Sequence, residues 1–190
     1  MTLKTPSFWY PKDHAAKSWK TSLLQPFSTV YAFFYNLHQM LVTAEKADIP
    51  VICIGNLVAG GTGKTPTAIA VFDFLKAEGF AKSPVFLLRG YGGAERGPVL
   101  VDLNKHTAWD VGDESLILAQ HGATIVSADR IDGTKLAREH GADLVLMDDG
   151  LQNPGIHKDF SIVIVNGEMG FGNGLMMPAG PLREPLKRGL

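Results

Sequence analysis

The chain has 190 residues, 45% of them hydrophobic, enough to bury a full core in one compact domain with a modest extension. Its formal net charge of -1 leaves no broad basic surface for a phosphate backbone, so nucleic acid is not an expected partner. Its single cysteine, Cys53, excludes an intramolecular disulfide and any multi-cysteine zinc or iron–sulfur site, and fits a reducing compartment.

Residues 1–20, MTLKTPSFWYPKDHAAKSWK, mix Lys, Asp, His and Trp without a continuous apolar run or a small-residue cleavage site. They do not read as a signal peptide, and the chain is expected to stay on the side of the membrane where it is made. Thr21 to Ala44 carries no Asp, Glu, Lys or Arg and is long enough to raise the question of a membrane span. Leu23, Phe27, Val30, Phe34, Leu37 and Leu41 recur in steps of four and three, while Gln25, Thr29, Ala32, Asn36, Gln39 and Thr43 keep the same rhythm elsewhere on the wheel. An amphipathic helix is therefore predicted, beginning near Leu24 or Gln25 because Pro26 suits a first turn. Its apolar face is expected against the protein's own core or in a membrane interface, with a span the least favoured reading. Lys4, Lys12, Lys17 and Lys20, interleaved with Trp9, Tyr10 and Trp19, tip the balance slightly toward an interface.

From Ile49 onward short apolar runs alternate with helical stretches. PVICIG (50–55) reads as a buried strand, Thr65 to Glu78 as a helix, PVFLL (84–88) as a strand and Asp113 to His121 as a helix. Thr124 to Val126 is a short predicted strand, Arg130 to His140 a helix, DLVLMDD (143–149) a strand and Ser161 to Val165 another; GPVLVD (97–102) is a candidate extra strand. The alternation predicts an α/β fold: a mostly parallel sheet with helices on both faces, whose ligands gather at the carboxyl ends of the strands. After Val165 the chain is rich in Gly and Pro and reads as loop.

NLVAGGTGKTP (56–66), between the first of these strands and its helix, has the form of a phosphate-binding loop, with Val58 where the strict pattern has its first glycine. Gly60, Gly61, Thr62, Gly63, Lys64 and Thr65 complete the rest. Such glycines turn backbone N–H groups toward phosphate oxygens, and the following helix adds the positive end of its dipole. Lys64 would reach the β/γ-phosphates and the Thr65 hydroxyl would ligate Mg²⁺. Asp148 and Asp149 end the apolar run LVLM, where a carboxylate can hold the same Mg²⁺ directly or through water. Asp113, in the run Gly112-Asp113-Glu114, is placed either to cap a helix or to orient an acceptor hydroxyl and draw off its proton, and spacing does not choose between them. ATP with Mg²⁺ is the expected cofactor pair, and phosphoryl transfer the expected chemistry.

Together GNLVAGGTGKTP (55–66), RGYGG (89–93), VGDE (111–114), DDGLQN (148–153) and GNGLMMPAGPLREP (172–185) resemble the tetraacyldisaccharide 4'-kinases of lipid A biosynthesis, in the family's order. The block containing PAGPLREP is the most specific. The resemblance implies a P-loop NTPase-like kinase domain over 49–190, preceded by a membrane-associated or packing segment over 1–48. It implies transfer of the ATP γ-phosphate to the 4'-hydroxyl of a tetraacylated glucosamine disaccharide 1-phosphate, giving lipid IVA at the cytoplasmic face of the inner membrane, with the chain held there peripherally and no obligate protein partner. Within the family's loop, Val58, Ala59, Gly60, Gly61, Thr62, Gly63, Lys64 and Thr65 are the nucleotide contacts, and a non-glycine at Val58 is ordinary. Asp113 falls on the acidic residue implicated in activating the sugar hydroxyl, with Lys64 beside it in catalysis, and Asp148 and Asp149 fall near Mg²⁺. Arg89, Glu114 and Arg183 are candidate substrate contacts, the arginines for anionic groups. The resemblance also implies a longer chain, continuing past Leu190 into a second lobe with a catalytic histidine. The alternatives are a ParA-like P-loop ATPase, which would not need PAGPLREP, and a non-catalytic ATP- or membrane-binding portion of the kinase.

Overall fold

The structure, a computed structural model, describes residues 5–11 and 18–189. Lys4, Lys12 and Lys17 lie outside the described residues. In chain order these form a 3-10 turn (Ser7–Trp9), α1 (Trp19–Leu41), β1 (Val51–Gly55), α2 (Lys64–Ala77), β2 (Pro84–Leu88), β3 (Val99–Leu100), α3 (Ala108–Val111), α4 (Asp113–Ala119), β4 (Thr124–Val126), α5 (Arg130–Glu139), β5 (Leu144–Asp148), β6 (Phe160–Val163) and α6 (Leu186–Gly189). They divide into two compact units, one within Met1–Val42, Asn56–Thr62 and Val163–Leu190, the other Thr43–Gly55 and Gly63–Ile162.

The second unit is built on the sheet, whose strands run in the order β3-β4-β2-β5-β1-β6. β1 pairs parallel with β5, β5 with β2 and β2 with β4; only β3 among these pairings runs antiparallel, against β4. The predicted α/β class and the candidate strand within 97–102 are both present. Alternate residues explain why the central strands are continuously apolar. Cys53, Leu87, Ile125 and Met147 share one face with Ile131 and Ala137 of α5, while Phe86 on the other face stacks on Phe72 of α2 at 4.2 Å between ring centroids. A strand covered on both sides has no polar face to offer. The register Ile54↔Asp148 and Leu88↔Val126 brings the carboxyl ends of these strands level, which is where their polar residues stand.

In the first unit α1 departs from expectation at its start and in its buried face. The helix begins at Trp19 rather than near Leu24, with Pro26 inside it. Pro26 and Ser22, whose carbonyl the proline leaves without its helical N–H, are both exposed, so the lost bond is not a buried one. The apolar stripe Leu23, Phe27, Val30, Phe34, Leu37 and Leu41 is exposed, not packed on the protein. The residues turned inward are Thr21 and Ser28, with Tyr35 half-buried one heptad further on. No described helix is long and apolar enough to cross a membrane.

Candidate functional site

At the carboxyl end of β5 the chain turns sharply. Asp149 adopts a left-handed conformation (φ 55°), anchored by its N–H donating to the Ile54 carbonyl at 2.8 Å. The two aspartates are thereby sent in different directions. Asp149 Oδ1 lies 3.8 Å from Lys64 Nζ, an ion pair whose lysine side chain is largely buried. Asp148, only 3% exposed, accepts the Thr65 hydroxyl on Oδ2 at 3.3 Å, while its buried Oδ1 has no hydrogen-bond partner. Burial, and then the negative charges of Glu114 and Asp149, push the Asp148 carboxyl up to about 6. A buried carboxylate with an idle oxygen, a hydroxyl on the other oxygen and two acidic neighbours fits a hard cation. No group of three or more His, Cys, Asp or Glu side chains among the described residues could by itself hold a metal ion.

Lys64 and Thr65 open α2, and Gly63, left-handed at φ 83°, is its N-cap. The preceding loop belongs to the other unit, where the Asn56 amide closes it by donating to Thr62 Oγ1 at 2.8 Å and to the Gly60 carbonyl at 3.4 Å. A Cβ added at Gly60, Gly61 or Gly63 would meet nothing within 4 Å. These glycines serve no packing role, and the bare backbone leaves room for a ligand. Val58 behaves in the opposite way: it is 5% exposed and bridges Leu182 in antiparallel register.

The RGYGG and VGDE turns support each other. A Cβ at Gly90 would lie 2.4 Å from Val126 Cγ1, and one at Gly112 would lie 2.5 Å from the Tyr91 carbonyl oxygen. Ala94 and Glu95 N–H groups donate to the Trp109 and Asp110 carbonyls, both at 2.8 Å. This contact fixes where α4 begins. Gly112 occupies its N-cap, so Asp113 is the first helical residue rather than the cap; its Oδ1 accepts the Glu114 N–H at 3.2 Å and its side chain remains exposed. Glu114 joins Lys64, Thr65, Asp148 and Asp149 through its charge on Asp148. Arg183 lies in the other unit, its N–H donating to the Leu57 carbonyl at 2.8 Å and its carbonyl accepting the Tyr31 hydroxyl at 3.3 Å.

Arg130, read from sequence only as the start of a helix, is the residue that reasoning missed. It is 6% exposed, its Nη1 donates to the Ser127 carbonyl, and its buried Nε has no partner. No ion pair reaches its guanidinium among the described residues. Burial, and then the positive charge of Arg89, lower its pKa to about 10. It lines a cavity of about 260 Å³ with Asp129, Lys135, Glu45 and Asn153. The one available signal was an arginine four residues past the end of a buried strand, where ligands of such sheets collect.

The family described as tetraacyldisaccharide-1-P 4'-kinase (LpxK) matches residues 20–190. A tetraacyldisaccharide 4'-kinase of Dinoroseobacter shibae is 48% identical, covering 99% of this chain and 55% of the relative. That of Parvibaculum lavamentivorans is 47% identical, covering 96% of this chain and 53% of the relative. The chain spans about half the length of the curated relatives it matches. Among solved structures, LpxK from Aquifex aeolicus, in complex with ATP, is similar with a TM-score of 0.77 at 32% identity, over 88% of this chain and 55% of that one.

Proposed function

The chain belongs to the tetraacyldisaccharide-1-P 4'-kinase family, and from that premise we propose that it binds ATP and serves transfer of its γ-phosphate to the 4'-hydroxyl of a tetraacylated glucosamine disaccharide 1-phosphate. The observation that carries the reading is Asp148, buried with one oxygen on the Thr65 hydroxyl and the other idle beside Lys64 and Asp149. Thr65 and Asp148 would hold Mg²⁺, with Asp149 supporting through Lys64; the ion would supply charge neutralisation of the phosphates. Lys64 releases Asp149 for the β/γ-phosphates, and the N–H groups of residues 60–65 take further phosphate oxygens, whereas Val58 is buried and the Ala59 N–H is held by the Pro181 carbonyl. Asp113, free of the cap position, orients the acceptor hydroxyl and receives its proton. Arg89 and the buried Arg130 take an anionic group of the lipid substrate, because a desolvated guanidinium with an unpartnered Nε and no direct ion pair is costly until an anion arrives. Glu114 tunes Asp148, and Arg183 remains a candidate phosphate contact.

The exposed stripe of α1 rests on a lipid surface, helped by Lys20, whose ammonium lies 5.9 Å from the Trp19 ring centroid. ATP as donor makes this the cytoplasmic face of the inner membrane, with the chain attached peripherally. The test is transfer of labelled γ-phosphate to the lipid disaccharide in mixed micelles, by this chain and by Lys64→Ala. Lipid-dependent transfer lost in the variant is expected. ATP binding without transfer would leave the chain a nucleotide-binding portion of the kinase, and ATP turnover indifferent to lipid would sink the kinase reading.

A further inference from the structure

We propose that Ser28 of α1 is a positioning residue for the nucleotide loop, acting through residues 175–183; this rests on the reading of residues 58–65 as that loop. The first half of the loop is not free-standing. Ala59 N–H donates to the Pro181 carbonyl and Arg183 N–H to the Leu57 carbonyl, each at 2.8 Å, with Val58 paired to Leu182 between them. Leu57, Val58 and Leu182 are all buried. The path of Leu57–Ala59 is therefore templated by Pro181–Arg183.

That template belongs to no sheet and needs its own support. Leu182 N–H donates to the Leu175 carbonyl at 3.1 Å and Met177 N–H to the Leu182 carbonyl at 2.9 Å, closing 175–182 into a loop. Asn173 ties its base, donating to the Ala179 carbonyl at 2.9 Å and accepting the Leu175 N–H at 3.1 Å. Ser28 reaches in from the helix. Its hydroxyl donates to the Met176 carbonyl at 2.7 Å and accepts the Ala179 N–H at 2.9 Å, spending its donor and an acceptor on the same loop. Two tyrosines repeat the attachment further along α1, Tyr31 on the Arg183 carbonyl and Tyr35 on Glu184 Oε2.

A serine inside a helix is ordinarily neutral to unfavourable, and a helical hydroxyl commonly bonds back to its own helix. Thr29 does so, donating to the Gln25 carbonyl at 3.2 Å. Ser28 does not; it is buried on a helix whose large apolar side chains are exposed. Removing its hydroxyl leaves the Ala179 N–H without its partner and the Met176 carbonyl with the Gly180 N–H alone, and the strain falls on the loop that templates Leu57–Ala59.

Amide hydrogen exchange and ATP titration calorimetry on the full chain, as wild type, Ser28→Ala, Ser28→Thr and Thr29→Ala, test the proposal. In Ser28→Ala, exchange at Ala59 and Arg183 is expected to rise about tenfold, the factor that about 1.4 kcal/mol of lost hydrogen bonding gives, with the β5 amides unchanged. The ATP Kd rises with it, Ser28→Thr restores both, and Thr29→Ala moves neither. Unchanged exchange at Ala59 in Ser28→Ala, or equal losses in Thr29→Ala, would overturn the proposal. Lys64→Ala separates the underlying reading: if it binds ATP as the wild type does, the nucleotide assignment falls, while the exchange data still judge the coupling of α1 to the loop.

Discussion

Two regions break the usual partition of apolar and polar groups, in opposite directions. At the strand ends, Asp148 and Arg130 bury charge that water would otherwise solvate, each with an atom lacking any hydrogen-bond partner. Along α1, Phe27, Phe33, Phe34 and Met40 hold apolar surface in the solvent, Phe34 being 62% exposed. Burying an unpaired charge costs several kcal/mol, and a contiguous exposed apolar stripe is similarly disfavoured in an isolated chain. Stability alone explains neither. The difference lies in the partner each would require: small ions of both signs at the strand ends, and an extended apolar phase along the helix.

The comparison breaks most sharply on the helix side. Phe27→Lys combined with Phe34→Lys is expected to lower partitioning onto phospholipid vesicles about 1000-fold, the loss of two buried phenyl rings at about 2 kcal/mol each. Sedimentation with vesicles measures it, and undiminished binding would mean that the stripe meets something other than lipid.

On the strand side the effect is smaller and depends on pH. The folded carboxyl of Asp148 sits at about 6 against an ordinary 3.8. Below about pH 4 it is neutral in both folded and unfolded chains and costs nothing. Between about pH 4 and 6 the unfolded chain ionises while the folded carboxyl still holds its proton, so stability falls with rising pH and the loss is complete above about 6, where the folded chain carries the disfavoured ion. Asp148→Asn removes that loss. In chelator, urea unfolding is expected to show the variant gaining on the wild type between pH 4 and pH 7, to at most about 3 kcal/mol. A difference flat in pH would show the carboxylate to be adequately solvated. Arg130→Met is the counterpart of opposite charge. It should stabilise the ligand-free chain by about 1 kcal/mol while weakening glucosamine 1-phosphate binding about tenfold. Destabilisation with unaltered binding would make the arginine a structural strut.

Legibility in the sequence followed the range of the interactions involved. β1, β2 and β5 were readable because a strand covered on both faces is apolar throughout, and Lys64, Thr65 and Asp148 because strand, loop and helix are consecutive in the chain. The amphipathic character of α1 was readable as well; its buried face was not. Periodicity singles out the phenylalanines, whereas the face turned inward is chosen by Ser28 meeting Met176, 148 positions away. Arg130 escaped for the same reason, since its burial and its closeness to Arg89 depend on β2 lying beside β4. The glycines of RGYGG and VGDE have their packing reason only where Gly112 meets Tyr91 and Gly90 meets Val126.

Val58 gives the finest test, because there the loop itself resembles the helix side of the comparison more than the phosphate side. The strict P-loop pattern has glycine where backbone must approach phosphate, and by that logic Val58→Gly should improve binding. The structure argues the reverse. Val58 is buried and bridged to Leu182, so its side chain anchors the loop, whereas Gly60, Gly61 and Gly63 leave open space around the backbone. Glycine at 58 would remove the anchor and add backbone freedom that folding must then restrict. Val58→Gly is therefore expected to weaken ATP binding about threefold, equivalent to about 0.7 kcal/mol. Calorimetric titration measures it, and tighter binding by the variant would return Val58 to the status of an imperfect phosphate contact.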